Sequence, residues 1–242
     1  MSVSLRAIVV IPTYNEQENI ESLLTAIFAL KMGLHVLVVD DGSPDGTADV
    51  VIKLQKRYPH QLHLLSRPHK EGLGRAYLAG FGWVLAYDYD YICTMDGDFS
   101  HAPADVPRLL RMCATPTIDI VIGSRYIAGG RVVNWPLSRI LLSHMANWLA
   151  RSITGIPIKD TTAGFVCYRK AILKDILNIA SVGYSFQVEI KFLAYQYGAK
   201  IVELPITFTN RVRGRSKMGL SMAGESFFRL IQMKWRSWRG SV

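Results

Sequence analysis

The sequence is poor in cysteine and lacks the histidine spacings of common metal sites. Its three cysteines (Cys93, Cys113 and Cys167) are scattered, odd in number and without any C-x-x-C spacing. These features exclude a disulfide framework and a cysteine-based zinc site, and they favour a reducing, cytosolic compartment. The six histidines show no H-E-x-x-H or paired spacing, so none is assigned to a metal.

Long apolar runs are also missing. The longest stretch without Asp, Glu, Lys or Arg covers the 13 residues 176–188. A helix that crosses a bilayer needs about 20 apolar residues, so no transmembrane helix is predicted. The N-terminal segment MSVSLRAIVVIP has one early arginine and no small-residue cleavage site, and it predicts a first strand rather than a signal peptide.

Acidic residues are scarcer than basic ones, and the imbalance is local. The chain has 28 Lys and Arg against 19 Asp and Glu, a net charge of +9. From Arg211 to the end there are eight cations and one glutamate, a net charge of +7, which leaves +2 for the first 210 residues. Anionic partners are therefore expected at the C-terminal end of the chain.

Apolar residues make up 50% of the chain and form an alternating pattern. Short apolar runs predict strands at 7–11, 35–39, 62–65, 91–95 and 119–123. Helical spacing predicts helices at 47–58, 73–87 and 104–113, and a first helix whose start is marked by Asn15 and Glu18 in a capping-box pattern. This alternation predicts an α/β fold with a mainly parallel sheet and right-handed crossovers.

The pattern changes after residue 125. It predicts a helix at 138–153, a loop at 160–165, a helix at 186–197, a strand at 201–208 with an edge-type proline, and a last helix. Without repeats, low-complexity tracts or linkers, the length suits a single domain.

Polar residues follow four of the predicted strands. The clusters are Pro12-Thr13-Tyr14-Asn15-Glu16, Asp40-Asp41, Asp96-Gly97-Asp98 and Ser124-Arg125. Because ligands of such sheets bind outside the carboxyl ends of the strands, we expect the clusters to converge at one edge. Asp88 and Asp90 precede their strand, so they are expected at the opposite edge.

Asp96 and Asp98 point the same way if the chain is extended between them. Two carboxylates on one side repel each other unless a cation bridges them. Hard oxygen ligands suit Mg²⁺ or Mn²⁺, which also takes oxygens from a substrate diphosphate. The alternative is a solvated turn whose aspartates cap the following helix, but the position after a buried strand favours the metal.

Asp41 follows a buried strand and could accept hydrogen bonds from a base or from ribose hydroxyls. The residues after it, 42–46, have the composition of a turn. The alternative for Asp41 is therefore a turn-and-cap role.

The segment Arg211-Val212-Arg213-Gly214-Arg215-Ser216-Lys217 holds four cations in seven residues, for which phosphates are the obvious partners. The alternatives are a solvated basic loop and a nucleic-acid patch. The absence of interleaved aromatic residues argues against single-stranded nucleic acid.

The last predicted helix has an apolar face and a largely basic opposite face. The apolar face holds Phe227, Phe228, Ile231, Trp235 and Trp238. A basic amphipathic helix with tryptophans is typical of the membrane interface, and an ordinary helix packed on the sheet is the alternative.

Together these motifs resemble those of the dolichyl- and polyprenyl-phosphate mannosyltransferases, which are inverting family-2 glycosyltransferases with a GT-A fold. The matching stretches occur in the family's order over nearly the whole chain: IPTYNEQENI, VVDDGSPDGTADV, GLGRAYLAGF, MDGDFSHAP, IGSRYIAGG, NWPLSR, TAGF and NRVRGRSKMG. The resemblance implies one GT-A domain over 1–242, a Rossmann-like mainly parallel sheet with helices on both faces. It divides the domain into a nucleotide-binding half at 1–125, an acceptor half at 126–220 and an amphipathic membrane-interface helix at 221–242.

The resemblance also implies roles for individual residues. The nucleotide would be held by Pro12, Tyr14, Glu16, Val39 and Asp41. The metal and diphosphate would be surrounded by Asp96, Gly97, Asp98 and Ser100, with Asp96, Asp98 and Ser100 around Mg²⁺ or Mn²⁺. Phosphate groups would be gripped by Arg125, Arg211 and Lys217, and the catalytic set would be Asp98, Arg211 and Lys217.

Two departures from the family pattern bear on these expectations. Some relatives have glutamine where this chain has Ser100, so this part of the metal shell could be completed by water. Some relatives carry C-terminal transmembrane helices, so this chain is expected to reach its lipid from the membrane surface or through a membrane-anchoring partner protein.

The expected function is transfer of mannose from GDP-mannose to a polyprenyl (dolichyl-type) monophosphate with inversion, at the cytoplasmic face of a membrane. One alternative keeps the acceptor and uses UDP-glucose or another nucleotide sugar, since no motif fixes the base or the sugar. A distant alternative is a basic membrane- or nucleic-acid-binding module, which has no use for four polar clusters at strand ends. No nucleic-acid partner is expected.

Overall fold

The computed structural model describes residues 5–177, 179, 183 and 185–210. Its strands are β1 (Ala7–Thr13), β2 (His35–Asp40), β3 (Leu62–Ser66), β4 (Tyr91–Thr94), β5 (Ile120–Ser124), β6 (Arg131–Val133), β7 (Val166–Arg169), β8 (Ile201–Pro205) and β9 (Thr207–Thr209). Its helices are α1 (Gln17–Phe28), α2 (Thr47–Gln55), α3 (Leu73–Leu85), α4 (Val106–Cys113), α5 (Leu137–Thr154), α6 (Lys170–Ile176) and α7 (Phe186–Gln196), with a 3₁₀ turn at Pro103–Asp105 before α4.

Seven strands form one sheet in the order β3-β2-β1-β4-β7-β5-β8. Its strands run in one direction except β7, which is antiparallel to both β4 and β5. A smaller sheet pairs β6 with β9. The predicted α/β fold with a mainly parallel sheet is confirmed, and the antiparallel strand inside it was not predicted.

Helices cover both faces of the main sheet because alternate strand residues point to opposite sides. On one face Ile8, Val10, Leu37 and Val39 pack with residues of α3, α6 and α7. On the other face Ala7, Val9, Val36 and Val38 pack with α1, α2 and α4. Each strand is thus apolar on both sides, which is why the parallel strands appear in the sequence as continuous apolar runs.

Two local predictions were wrong. The predicted strand 201–208 is broken at Ile206 into β8, at the edge of the main sheet, and β9, in the small sheet. The capping box of Asn15 and Glu18 does not form, because the N-cap position is Glu16 and its side chain makes no capping bond. Instead Asp45 from the β2–α2 loop accepts the Gln17 N–H at 3.0 Å, so the start of α1 is capped from a neighbouring loop.

Helix α5 presents an apolar face to solvent. Its exposed apolar residues are Leu137, Leu141, Leu142, Met145 and Trp148, each at least half exposed. On the inner side, Asn147 donates to Thr162 and accepts from Thr161, which holds α5 against the loop after Asp160. Within the described part of the chain, no helix is both long and apolar enough to cross a membrane.

Candidate active site

The four predicted polar clusters converge at the carboxyl edge of the main sheet. Thr13, at the end of β1, donates its hydroxyl to Asp40, at the end of β2, at 2.9 Å. A Cβ atom added at Gly97, which follows β4, would lie 3.3 Å from the Thr13 methyl carbon and 3.5 Å from Cγ of Glu16. Gly97 therefore allows the loop after β4 to pack closely on the loop after β1.

The loop after β4 is held in a strained conformation. Phe99 has a φ of +61°, which is unusual for a residue with a side chain. The turn brings the Ser100 N–H to 3.0 Å from Oδ1 of Asp98, and Asp98 is buried. The Asp96 side chain is 36% exposed. One carboxylate of the pair is thus fixed by the loop, and the other faces the open side of the edge.

His101 supports this loop and was not predicted from the sequence. Its ring stacks on Phe165, and its Nδ1 accepts the Asp96 N–H at 3.2 Å, so the neutral ring carries its proton on Nε2. Burial lowers the pKa of His101 to about 4, against the opposing effect of Asp98. His101 is therefore neutral at physiological pH and orders the backbone that carries Asp96.

Arg125 forms a buried ion pair with Asp160. Its Nε and Nη2 lie 2.7 and 2.6 Å from the two carboxylate oxygens, and its N–H donates to the same group at 2.9 Å. Burial opposes the charge of Asp160, but Arg125 outweighs it and lowers the pKa of that carboxyl. The structure thus places Arg125 at the site edge with a protein carboxylate as partner, and its predicted contact with phosphate stays a prediction.

The residues predicted to hold a nucleotide lie around the ends of β1 and β2. Pro12 and Val39 face each other in the register of the two strands, and the Val39 side chain is buried. Tyr14 stacks under the Lys70 ammonium, which is 4.5 Å from the ring centre, and Glu16 accepts from the Asn19 side chain. Their predicted contacts with a nucleotide are not tested by this arrangement.

Asp41 is buried at the end of β2 and pairs with Arg67, whose Nη1 lies 2.5 Å from Oδ1. Burial raises the pKa of the Asp41 carboxyl, and Arg67 opposes this effect. Asp40, the other member of the cluster, accepts the Ser43 N–H at 2.9 Å and its hydroxyl at 2.6 Å. Asp40 is therefore the turn residue of this pair, and Asp41 remains the predicted ligand.

The second Asp-x-Asp pair lies at the opposite edge, as predicted. Asp88 and Asp90 precede β4 and both form exposed ion pairs with Arg6. Their spacing is the same as that of Asp96 and Asp98, but a surface arginine bonds to both carboxylates and reduces their repulsion. This pair has a structural explanation that needs no ligand.

A buried glutamine and lysine on α7 lie behind the loop that contacts Asp96. Lys191 is fully buried and donates its Nζ to the carbonyl of Ala163 at 2.7 Å and to Oε1 of Gln187 at 3.3 Å. Gly164, next in the chain, lies against Asp96, since a Cβ there would be 3.3 Å from Oδ1 of Asp96. This cluster was not predicted, because polar residues in a helix usually face water.

The carboxylates fit a divalent cation of one particular class. Within the described ranges, no group of three or more His, Cys, Asp or Glu residues could enclose a metal ion. Mg²⁺ and similar ions are typically held by one or two carboxylates together with substrate phosphates and water. The buried Asp98 and the half-exposed Asp96 match this donor set, and Ser100 contributes a backbone bond to Asp98.

The remaining predicted cations, Arg211 and Lys217, lie outside the described residues. The same holds for the predicted amphipathic helix at 221–242.

Comparison with known proteins adds family and fold. Residues 8–177 match the family model of glycosyl transferase family 2. A polyprenol monophosphomannose synthase from Mycolicibacterium smegmatis is 43% identical over 229 residues, which are 94% of this chain and 86% of the relative. An undecaprenyl-phosphate mannosyltransferase from Micrococcus luteus is 44% identical over 224 residues, 92% of this chain and 91% of the relative.

Solved structures share the fold at low sequence identity. A glucosyl-3-phosphoglycerate synthase from Mycobacterium tuberculosis, in complex with Mn²⁺, uridine diphosphate and phosphoglyceric acid, superposes with a TM-score of 0.69. It is 20% identical, and the match covers 96% of this chain and 78% of the other. A complex of the same synthase with Mn²⁺, uridine diphosphate and glucosyl-3-phosphoglycerate gives a TM-score of 0.67 at 20% identity, over 96% and 79% of the two chains.

Proposed function

The chain belongs to glycosyl transferase family 2 and is a glycosyltransferase of the GT-A fold, and on this basis we propose that it transfers mannose from GDP-mannose to a polyprenyl (dolichyl-type) monophosphate. The observation that carries the proposal is the identity of 43–44%, over more than nine-tenths of the chain, to two proteins named for such products. The products are polyprenyl-phosphate mannose and GDP.

In this proposal the donor lies across the ends of β1, β2 and β4. The nucleotide contacts Pro12, Tyr14, Glu16, Val39 and Asp41. The Val39 side chain is fully buried and would lie 3.0 Å from a Cβ added at Gly80 on α3. The nucleotide therefore contacts the main chain of Val39 rather than its side chain. The diphosphate lies near Asp96, Gly97 and Asp98.

Asp96 and Asp98 would hold Mg²⁺ or Mn²⁺, with Ser100 beside them. When bound, such an ion neutralises the charge that develops on the leaving diphosphate. Asp98 is oriented for this by the Ser100 N–H, and the Asp96 backbone is oriented by His101. Arg125, Arg211 and Lys217 supply positive charge for the phosphate groups of donor and acceptor.

The acceptor phosphate is itself the nucleophile. A phosphate monoester has a second pKa of about 6, so it is largely dianionic near neutral pH and needs no dedicated general base. The protein has to place its oxygen in line with the anomeric carbon and stabilise the departing diphosphate. Because the attack is direct, the anomeric configuration inverts.

We also propose that the enzyme works at the cytoplasmic surface of a membrane, directly or with a membrane-anchoring partner protein. Leu137, Leu141, Met145 and Trp148 are spaced at three or four residues and form one exposed face of α5. Large apolar side chains on one helix face suit the interface of a bilayer, where a polyprenyl acceptor is held.

The test is a donor panel with purified protein, undecaprenyl phosphate and either Mg²⁺ or Mn²⁺. We expect radiolabelled lipid product from GDP-mannose, and we expect the anomeric configuration of the product, measured by NMR, to be opposite to that of the donor. If lipid product forms from UDP-glucose and not from GDP-mannose, UDP-glucose is the donor and the proposed donor is wrong. A product with retained configuration would overturn direct attack.

A further inference from the structure

Gln187 carries a buried hydrogen-bond donor that the fold leaves unused. The residue is 3% exposed, and its Oε1 accepts from Lys191 Nζ at 3.3 Å. Its Nε2 is buried and has no hydrogen-bond partner within the part of the chain that the structure describes. A buried donor without a partner is destabilising, and a ligand atom that accepts from it removes that cost.

Lys191 determines which end of this amide faces the site. Its Nζ is held by the carbonyls of Ala163, at 2.7 Å, and Gln187, at 2.9 Å. The protonated amine, which predominates below its lowered pKa of about 7, has three N–H donors and no acceptor. In this form it pairs with the oxygen of the Gln187 side chain and turns the nitrogen the other way. Lys191 is thus a positioning residue for Gln187.

Gly164 lies directly against both Gln187 and Asp96. A Cβ at position 164 would lie 3.7 Å from Nε2 of Gln187 and 3.3 Å from Oδ1 of Asp96, so even one added carbon would be tightly packed there. Gly164 is not among the residues with a positive φ, so its backbone does not require glycine. What glycine provides here is the close approach of the loop to two polar groups.

We propose that Gln187 is a specificity-determining residue whose Nε2 donates a hydrogen bond to a hydroxyl of the transferred hexose, beside Gly164 and Asp96. This inference rests on the proposed function and adds the contact that recognises the sugar.

A hydroxyl matches the hydrogen-bonding groups of Gln187 and Asp96 better than a phosphate oxygen does. Asp96 is an acceptor when ionised, and Nε2 of Gln187 is a donor. A hydroxyl both donates and accepts, so a single hydroxyl can bond to both groups. A diphosphate oxygen could accept from Gln187 but would repel Asp96, and it is served better by cations.

The test compares binding of GDP-mannose and GDP by calorimetry in the presence of Mg²⁺, with wild type and Gln187→Met. We expect the variant to bind GDP-mannose about 5–10-fold more weakly, the loss of one hydrogen bond, and to bind GDP with unchanged affinity. The matched control is Gln55→Met on α2, whose Nε2 already donates to the Leu62 carbonyl at 3.1 Å. It should leave the affinities for both ligands unchanged.

A second variant, Gly164→Ala, places a methyl group 3.3 Å from Asp96 Oδ1 and 3.7 Å from Gln187 Nε2 while keeping the glutamine, and it should also weaken GDP-mannose binding selectively. It keeps the inference testable if Gln187→Met does not fold. Equal weakening of GDP and GDP-mannose by both variants would place the contact on the nucleotide and overturn the inference. Unchanged GDP-mannose binding by both would overturn it too, while leaving the proposed function intact. If wild type binds GDP-mannose no better than UDP-glucose or not at all, the proposed donor fails together with this inference.

Discussion

At the scale of single residues, two aspartates separated by one residue occur twice in the chain, at opposite edges of the main sheet. Asp88 and Asp90 both pair with Arg6 at the surface. Asp98 is buried and bonded to the backbone of its own loop, next to the partly exposed Asp96. The direction of the strands places Asp96 and Asp98 at the edge where the polar clusters converge. It places Asp88 and Asp90 at the opposite edge, where they form surface ion pairs.

Asp98→Asn should reduce transfer of mannose to undecaprenyl phosphate by at least about 100-fold, the scale of losing one electrostatic contact to the transition state. The asparagine keeps an oxygen for the Ser100 N–H, so the fold should persist. Asp88→Asn changes the other pair in the same way and should leave the rate within about twofold, because exposed ion pairs contribute little. Rates from radiolabelled lipid product, at saturating metal, check both. Wild-type activity in Asp98→Asn would remove this residue from the catalytic set.

Lys191 gives a pH-dependent term to the stability. Burial lowers its pKa from 10.5 to about 7, with Asp160 opposing this effect. Between these two values the unfolded chain binds a proton that the folded chain does not, so stability rises with pH. The slope of the unfolding free energy is about 1.4 kcal/mol per pH unit over that window. Below the window this slope falls to zero, because both states then bind the proton. Urea unfolding of wild type and Lys191→Met at pH 7.5, 8.5 and 9.5 should show a slope difference of this sign; parallel slopes would contradict it.

The residues that the sequence did not indicate share a physical cause. Asp160 and Lys191 bond to Arg125 and Ala163, which are 35 and 28 residues away in the chain, and Gln187 bonds to Lys191 on the same helix. From its local pattern each would be taken for a solvent-facing residue. Asp96, Asp98 and Asp41 were identified because they directly follow buried strands, a position that the sequence itself marks. Proximity between loops that are distant in the sequence carries no local signal.

At the scale of secondary-structure elements, the five strands of the first half were predicted because each is a buried apolar run between turn residues. Strand β7 is only four residues long and ends in an arginine. This segment is a strand because it pairs with β4 and β5 on either side, and such pairing leaves no local pattern in the sequence. Helix bounds were correct to within a few residues, as fraying ends allow.

Helix α3 lies close to the sheet because of Gly80. A Cβ at this position would be 2.8 Å from Val10 Cγ1 and 3.0 Å from Val39 Cγ2, whereas a Cβ at Gly82 would meet nothing within 4 Å. Gly80→Ala should therefore destabilise the protein by about 1–3 kcal/mol through overpacking. Gly82→Ala, in the same helix, should stabilise it by up to about 1 kcal/mol through helix propensity. Urea midpoints distinguish the two, and equal effects would show that α3 can move away from the sheet.

The exposed face of α5 gives a prediction for membrane contact. Leu141 is 69% exposed, so Leu141→Glu should leave the fold unchanged while placing a charge on the apolar face. Partition into vesicles that contain anionic lipid should weaken at least about fivefold, since burial of a leucine contributes about 1.5–3 kcal/mol. The control is Ile52→Glu on α2, where an isoleucine is 49% exposed. Vesicle co-sedimentation measures both, and equal losses would assign the effect to charge alone.

At the scale of the whole molecule, the positive charge is concentrated in the last 32 residues, which carry +7 of the net +9. Deletion of 227–242 removes four of these cations and the predicted apolar face of the last helix. We expect at least about tenfold weaker binding to anionic vesicles, since each cation near such a surface contributes about 1 kcal/mol. Use of the lipid acceptor should fall in parallel, and GDP-mannose affinity should change little. An equal loss of donor and vesicle binding would mean that this segment is needed for the fold.

Because β7 lies between β4 and β5 in the sheet, the order in which the strands are synthesised differs from their order in the sheet. When a ribosome has released the chain as far as β5, residues 166–169 have not been made, and two strands that end up roughly 10 Å apart have nothing between them. At about 5–20 residues per second, the nascent protein waits on the order of several seconds with an open edge on β4 and no neighbour on either side of β5, since β8 has not been made either. The loop that carries Asp160 and Gly164 arrives with β7, so the aspartates of the earlier half gain these neighbours only when the sheet closes.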